Sequence, residues 1–200
     1  MNAVAKFQPL NALEFDAVLL GNFFEHHFFG GKKEHKVAKD IKQLETDWLA
    51  ATHRKYIPAL LNQHNTTYFG ALCSFSKKVA RSVSLDSFTD LITQAKKLNL
   101  QLSITLLNNT GKQTSHPVFI TSNLQENCMH LSWKEGQAVL DPSQFEFAFV
   151  NRLPCDDGCG WISSLEIFGA EGELLLQVQG ACEDQQAENL RLRELFSSLS

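Results

Sequence analysis

Two hundred residues, with 44% hydrophobic and 20% charged side chains and a formal net charge of −4, describe one globular domain long enough to bury a core. The acidic balance excludes a nucleic-acid surface as the main function, because phosphate recognition needs clustered Lys and Arg. No run approaches 18 consecutive apolar residues, no signal-peptide core opens the chain, and the five scattered cysteines are odd in number, so the expected setting is a reducing cytoplasm without a membrane span.

The first stretch, including FFEHHFFGGKKEH at 23–35, lacks periodicity and is expected to form an irregular extension over 1–36, followed by a single domain over 37–200. Ile41, Leu44, Trp48 and Leu49 recur at helical spacing. THRKYIPALLNQH follows at 52–64, and its proline leaves two readings. Either one bent helix carries His53 and His64, or His53 precedes a helix that opens near Pro58. The clearest helix runs over 85–98, with Leu85, Phe88, Leu91, Ile92, Ala95 and Leu98 on one stripe and Asp86 as an acceptable N-cap. After Asn99 the period changes. QLSITLL, HPVFITS, CMHLSW and QFEFAFV read as strands, the last placing Phe145, Phe147 and Phe149 on one face. GWISSLEIF and ELLLQVQG flank the hairpin turn GAEGE, and the stretch from Asp184 to Leu199 is helical again. Helices, then antiparallel strands, then a terminal helix predict an α+β fold with a mostly antiparallel sheet meander.

Several groups offer chemistry. CDDGC at 155–159 has the wrong gap for a structural zinc knuckle and reads as a turn. His26, His27 and His35 lie in the extension, where adjacent histidines point apart and chelate poorly. His53 is open to two readings, as a ligand or as solvated punctuation. His130, within the apolar strand CMHLSW, is either a ligand or a satisfied half-buried residue. A neutral imidazole can bind iron, and an iron porphyrin also wants cations for its propionates and an apolar cover. Arg54, Lys55 and Arg152 could supply the cations, and the phenylalanine-rich strands the cover.

From about Asp47 onward, DWLAATHRKYIPALLNQHN, FGALCSFSKKVARSV, CMHLSW, FAFVNR and SSLEIFGAEGELLLQVQG resemble, in collinear order, the C-terminal half of the bacterial haem-utilisation proteins of the HemS/HmuS type, the hemin-degrading factors. More distantly the chain looks like the single-domain ChuX/HutX haem carriers. The resemblance implies a HemS-like domain with haem as its ligand, His53 as axial iron ligand, His130 as a second contact and Arg152 as a propionate partner. It also implies assembly as a homodimer. LPCDD and ACEDQ stand where the family carries basic runs, which favours a cytosolic haem carrier of iron acquisition. The alternatives are an enzyme that opens the porphyrin ring, and a relative of this fold that has lost haem and acts in regulation or interaction.

Overall fold

The computed structural model describes residues 6–9, 36–108, 111–115, 119–125, 127–134, 136–155, 160–180 and 188–200. Strand β1 is Lys6–Pro9 and lies within the stretch expected to be irregular. Helix α1, Ile41–Ala50, starts where the Asp40 carboxylate accepts from the Gln43 amide, an N-cap that satisfies one of the orphan donors of the first turn. A 3-10 turn over Arg54–Tyr56 leads into α2, Ile57–Gln63, with Pro58 in its first turn, where the missing N–H costs nothing. The proline therefore opens a helix, and His53 precedes it. Helix α3, Tyr68–Ser74, is capped by Thr67, whose Oγ1 accepts from the Gly70 amide.

Strand β2 is Ala80–Val83, followed by α4, Ser87–Lys97, whose buried face of Phe88, Leu91, Ile92 and Ala95 is the middle of the predicted stripe, whereas Leu85 and Leu98 at its ends lie beyond the helix and are exposed. Asp86 sits at its N-cap but makes no side-chain capping bond. The strands continue as β3 Leu102–Asn108, β4 Gly111–Thr114, β5 Thr121–Gln125, β6 Cys128–Trp133, β7 Gly136–Leu140, β8 Phe147–Pro154, β9 Trp161–Phe168 and β10 Leu174–Gly180. Helix α5, Leu190–Ser198, closes the fold with Leu192, Leu195 and Phe196 buried. The guanidinium of Arg81 donates to the carbonyls of Phe196 and Ser197, a cation at the helix C-terminus where orphan acceptors and the helix dipole favour one.

The fold is α+β with antiparallel pairing throughout the described strands, and the meander divides into two sheets. One has the order β1-β7-β6-β5; the other runs β2-β8-β9-β10-β3-β4. The turn GAEGE forms as expected: the Gly169 amide donates to the Glu173 carbonyl at 3.0 Å, and Gly172 takes a φ of 72° that glycine adopts without strain. Register assigns the two faces of the six-stranded sheet. Ala148, Val150, Leu165, Ile167, Leu176, Val178, Ile104 and Leu106 face a core shared with α4, α5 and the inner face of the four-stranded sheet. Phe149, Leu153, Ile162 and Phe168 face a second core built with α1, α2 and α3 around Trp48. Each fully buried Leu, Ile or Phe contributes about 1.5–3 kcal/mol, so neither core is a minor satellite. The phenylalanine face differs from the expectation. Phe147 and Phe149 flank Phe69 at centroid distances of 5.1 and 5.8 Å, whereas Phe145 follows a 3-10 turn over Pro142–Gln144 and packs against the other core.

Candidate functional site

The segment after α1 turns sharply because the Ala51 amide bonds back to the Trp48 carbonyl, which ends the helix. His53 then adopts an extended conformation (φ −141°, ψ 143°) and caps the 3-10 turn through its carbonyl, which accepts from the Tyr56 amide at 3.1 Å. Its imidazole is half-buried. Nδ1 lies 3.0 Å from the Thr52 hydroxyl, and the ring meets Tyr56 edge-on at 5.6 Å. The other ring nitrogen has no partner among the described residues. A histidine held through one nitrogen with the other unengaged is the arrangement that metal-ligating imidazoles use.

Arg54 points the other way. It was a candidate cation for a propionate, yet it is only 9% exposed, and its guanidinium reaches Gln179 on β10. With the Gln179 amide turned to satisfy both groups, its oxygen accepts from Nη2 at 2.7 Å and Nη1 at 3.2 Å. The Arg54 amide donates to the Cys155 carbonyl just beyond β8. Beneath lies a polar cluster on the helix-covered face of the sheet. Glu166 is fully buried and accepts from the Tyr68 hydroxyl at 2.8 and 2.9 Å, from Asn151 Nδ2 at 2.7 Å and from Gln177 Nε2 at 2.6 Å. Burial raises the Glu166 pKa above its ordinary value, opposed by these donors and by the Arg54 charge. Burial, followed by the Glu166 charge, drives the Tyr68 phenol well above its usual range, so Tyr68 stays the donor. The signal for this cluster was a glutamate inside the otherwise apolar strand SSLEIF; its partners came from three distant segments and left no local pattern.

Arg152 sits near the end of β8, and its carbonyl accepts from Trp48 Nε1 at 3.2 Å. Its side chain faces the opposite side of the sheet, in register with Ser163. There Nη2 is 4.0 Å from Glu188, while that carboxylate is engaged by the Ser163 amide at 2.6 Å and hydroxyl at 3.0 Å. The buried Arg152 Nε has no partner, and burial, then the Arg193 charge, lowers the Arg152 pKa from its ordinary value. The segment carrying His53 is thus tied to the end of β8 through the Trp48 bond to Arg152 and the Arg54 bond to Cys155, while the Arg152 side chain faces the opposite side of the sheet. His130 lies elsewhere, on β6 opposite Asn123 and Val139, and alternates with Leu131 and Trp133, which face the core. His64 is no surface residue: it caps α2, and Nε2 bonds the Asp47 carboxylate at 2.8 Å. His26, His27, His35 and residues 156–159 of CDDGC lie outside the described residues. Among the described residues no cluster of three metal-ligating side chains occurs, and no helix is long and apolar enough to cross a membrane.

No protein-family model matches the chain. It is 27% identical over 169 residues to the hemin transport protein HmuS of Yersinia pestis, an alignment covering 80% of this chain and 46% of that protein. The heme degrading enzyme ChuS of Escherichia coli O157:H7 superposes with a TM-score of 0.73 at 22% identity, over 84% of this chain and 49% of ChuS. The heme binding protein ChuX superposes with a TM-score of 0.61 at 11% identity, over 79% of this chain and 94% of ChuX. The chain spans about half the length of HmuS and ChuS. In sequence the chain is similar to HmuS, and in fold to ChuS and, more distantly, to ChuX, so the resemblance to the HemS/HmuS-type proteins holds at both levels.

Proposed function

We propose that the protein binds haem and carries it in haem iron acquisition, with the His53 imidazole as the iron ligand and Arg152 as partner to a propionate. The observation that carries this reading is the His53 ring itself: half-buried, held at Nδ1 by Thr52, braced by Tyr56, with its second nitrogen unengaged among the described residues. When Nδ1–H donates to the Thr52 hydroxyl, Nε2 carries the lone pair that iron requires. Exposed Tyr56 supplies apolar cover beside it, and Arg152, a partly exposed side chain near the end of β8, is the cation whose planar fork suits a carboxylate. Haem bound there would supply an iron centre; the chain supplies the ligand, its orientation and the cation. The similarity to a hemin transport protein supports carriage.

His130 lies on the four-stranded sheet rather than on the strands beside His53, and its proposed role as a second haem contact is assigned to a second copy of the chain. A homodimer in the cytoplasm is part of this reading. Hemin titration tests it: one haem per chain with a sharp Soret band is expected. His53→Ala should weaken binding and shift the band, and added imidazole should restore much of the spectrum. A spectrum unchanged in His53→Ala would remove His53 from the site. The similarity in fold to a heme degrading enzyme makes ring opening the competing reading. Incubating the complex with a reductant in air separates them, because a stable Soret band supports carriage and a linear tetrapyrrole product supports the enzyme.

A further inference from the structure

We propose that Arg54 is a positioning residue for His53: its buried guanidinium, clamped by Gln179, fixes the direction in which the neighbouring imidazole leaves the fold. The inference rests on the reading of His53 as a ligand and goes beyond it by naming what holds that ligand in place. Three observations carry it. First, the extended backbone at His53 makes successive side chains point to opposite sides, so anchoring Arg54 inward aims His53 outward. Second, the anchor is doubled, since the Arg54 amide also bonds the Cys155 carbonyl and the fork closes on the turned Gln179 amide at 2.7 and 3.2 Å. Third, Gln179 and Glu166 belong to β10 and β9, interior strands of the six-stranded sheet, so the anchor is seated on strands hydrogen-bonded on both sides.

Energetics point the same way. A buried guanidinium near a buried carboxyl gains little over an apolar filling of similar volume, because both charges lose their water. What such a pair does supply is geometric uniqueness. A leucine at position 54 could rotate among several packings, whereas a planar fork on an amide oxygen has one. An imidazole already aimed at its ligand loses little further freedom on binding.

Arg54→Met, which keeps most of the stem and removes the fork, tests the proposal. In the parent without haem, the ring nitrogens of His53 should give one sharp set of 15N signals with Nδ1 protonated. In Arg54→Met they should broaden or average between tautomers, and hemin affinity should fall by about tenfold or more, recovered in part by added imidazole. Gln179→Met should reproduce both effects without touching the loop, and it decides the matter if Arg54→Met fails to fold. Tyr68→Phe removes a hydroxyl bonded to Glu166 but leaves the Arg54–Gln179 fork in place, and it should leave the His53 ring signals as in the parent. Unchanged ring signals in a folded Arg54→Met and Gln179→Met would overturn the proposal, as would equal broadening in Tyr68→Phe. If hemin binding by the parent proves independent of His53, the haem reading fails, and the ring signals measured without haem still decide whether Arg54 positions the imidazole.

Discussion

Trp48 ties the helical layer to the strand end where the site is built, and replacing it separates packing from hydrogen bonding. Its side chain is fully buried, lies edge-on to Phe75 at 4.9 Å and near Tyr68 at 6.0 Å, and donates through Nε1 to the Arg152 carbonyl. Truncating a buried tryptophan to alanine costs about 3–5 kcal/mol in lost transfer energy and residual cavity. The unmade hydrogen bond adds about 1 kcal/mol more. Trp48→Ala should therefore lose roughly 4–6 kcal/mol, a large part of the 5–15 kcal/mol typical of a domain. Trp48→Phe keeps one aromatic ring but loses the N–H and part of the indole volume, so about 1–3 kcal/mol is expected from the carbonyl left unpaired together with a small cavity. Urea unfolding followed by far-ultraviolet circular dichroism measures both. Equal losses for the two variants, or a loss below about 1.5 kcal/mol for Trp48→Ala, would refute the assignment of Trp48 as the centre of the second core.

Glu166→Gln should flatten a pH slope. Burial raises the folded pKa of Glu166 above its ordinary 4.5, so the stability of the parent should fall as pH rises from that value through the raised one, and unfolding midpoints followed upward from that value should lose that dependence in the variant. At Asp47 the sign is opposite. The His64 hydrogen bond lowers its pKa below 3.8, a contribution present above that value and lost as pH falls through the folded one; in His64→Ala the Asp47 carboxyl, followed by NMR, should titrate higher. Gly70→Ala would set a Cβ against the Lys36 carbonyl and 2.9 Å from Thr67 Oγ1, so despite better helix propensity it should destabilise by about 1–3 kcal/mol in a urea titration.

The stretches that were legible in the sequence are those whose pattern is local. The α4 stripe, the GAEGE hairpin and the apolar positions of α5 each follow from spacing that the backbone alone decides. Helix α3 carries no stripe, because Tyr68, Phe69, Gly70, Ala71 and Leu72 are buried one after another, and an unbroken buried run sets no helical period. Strand β2, four residues between a lysine pair and the α4 cap, is too short to alternate visibly. The division into two sheets was hidden for a different reason: β3 pairs with β10 across some seventy residues, a choice that only tertiary packing makes. Phe145 was misplaced because Asp141 accepts from the Ser143 amide and coils the chain into a 3-10 turn before β8 begins. At the site, no spacing singled out His53; its place in a resembling stretch did. Arg54 read as a cation available to a propionate because a sequence does not show which way a long side chain folds back.

The loop that carries His53 has few apolar contacts of its own, and such loops ordinarily occupy the low-stability end of a fold. Here each of its ends is fastened to a strand or a helix end. Ala51 bonds the last turn of α1, Trp48 fastens that turn to β8, and the Arg54 amide reaches Cys155 three residues further along the same chain direction. The guanidinium adds a fourth tie, to β10. A carrier gains from this arrangement in one respect that an apolar slot alone does not provide. Affinity of a flat, mostly apolar ligand for an apolar surface is poorly directional, so the choice of face and depth falls to the coordinating nitrogen. Fixing that nitrogen before the ligand arrives converts ordering entropy that would be lost on binding into a cost already met on folding. Loosening the anchor should then weaken binding mainly through faster dissociation, because the encounter does not depend on the aim of the imidazole whereas the lifetime of the iron bond does. Stopped-flow transfer of hemin from the protein to excess apomyoglobin reads that rate directly. A faster off-rate in Arg54→Met with an unchanged on-rate agrees with pre-organisation, and a slower on-rate with an unchanged off-rate contradicts it.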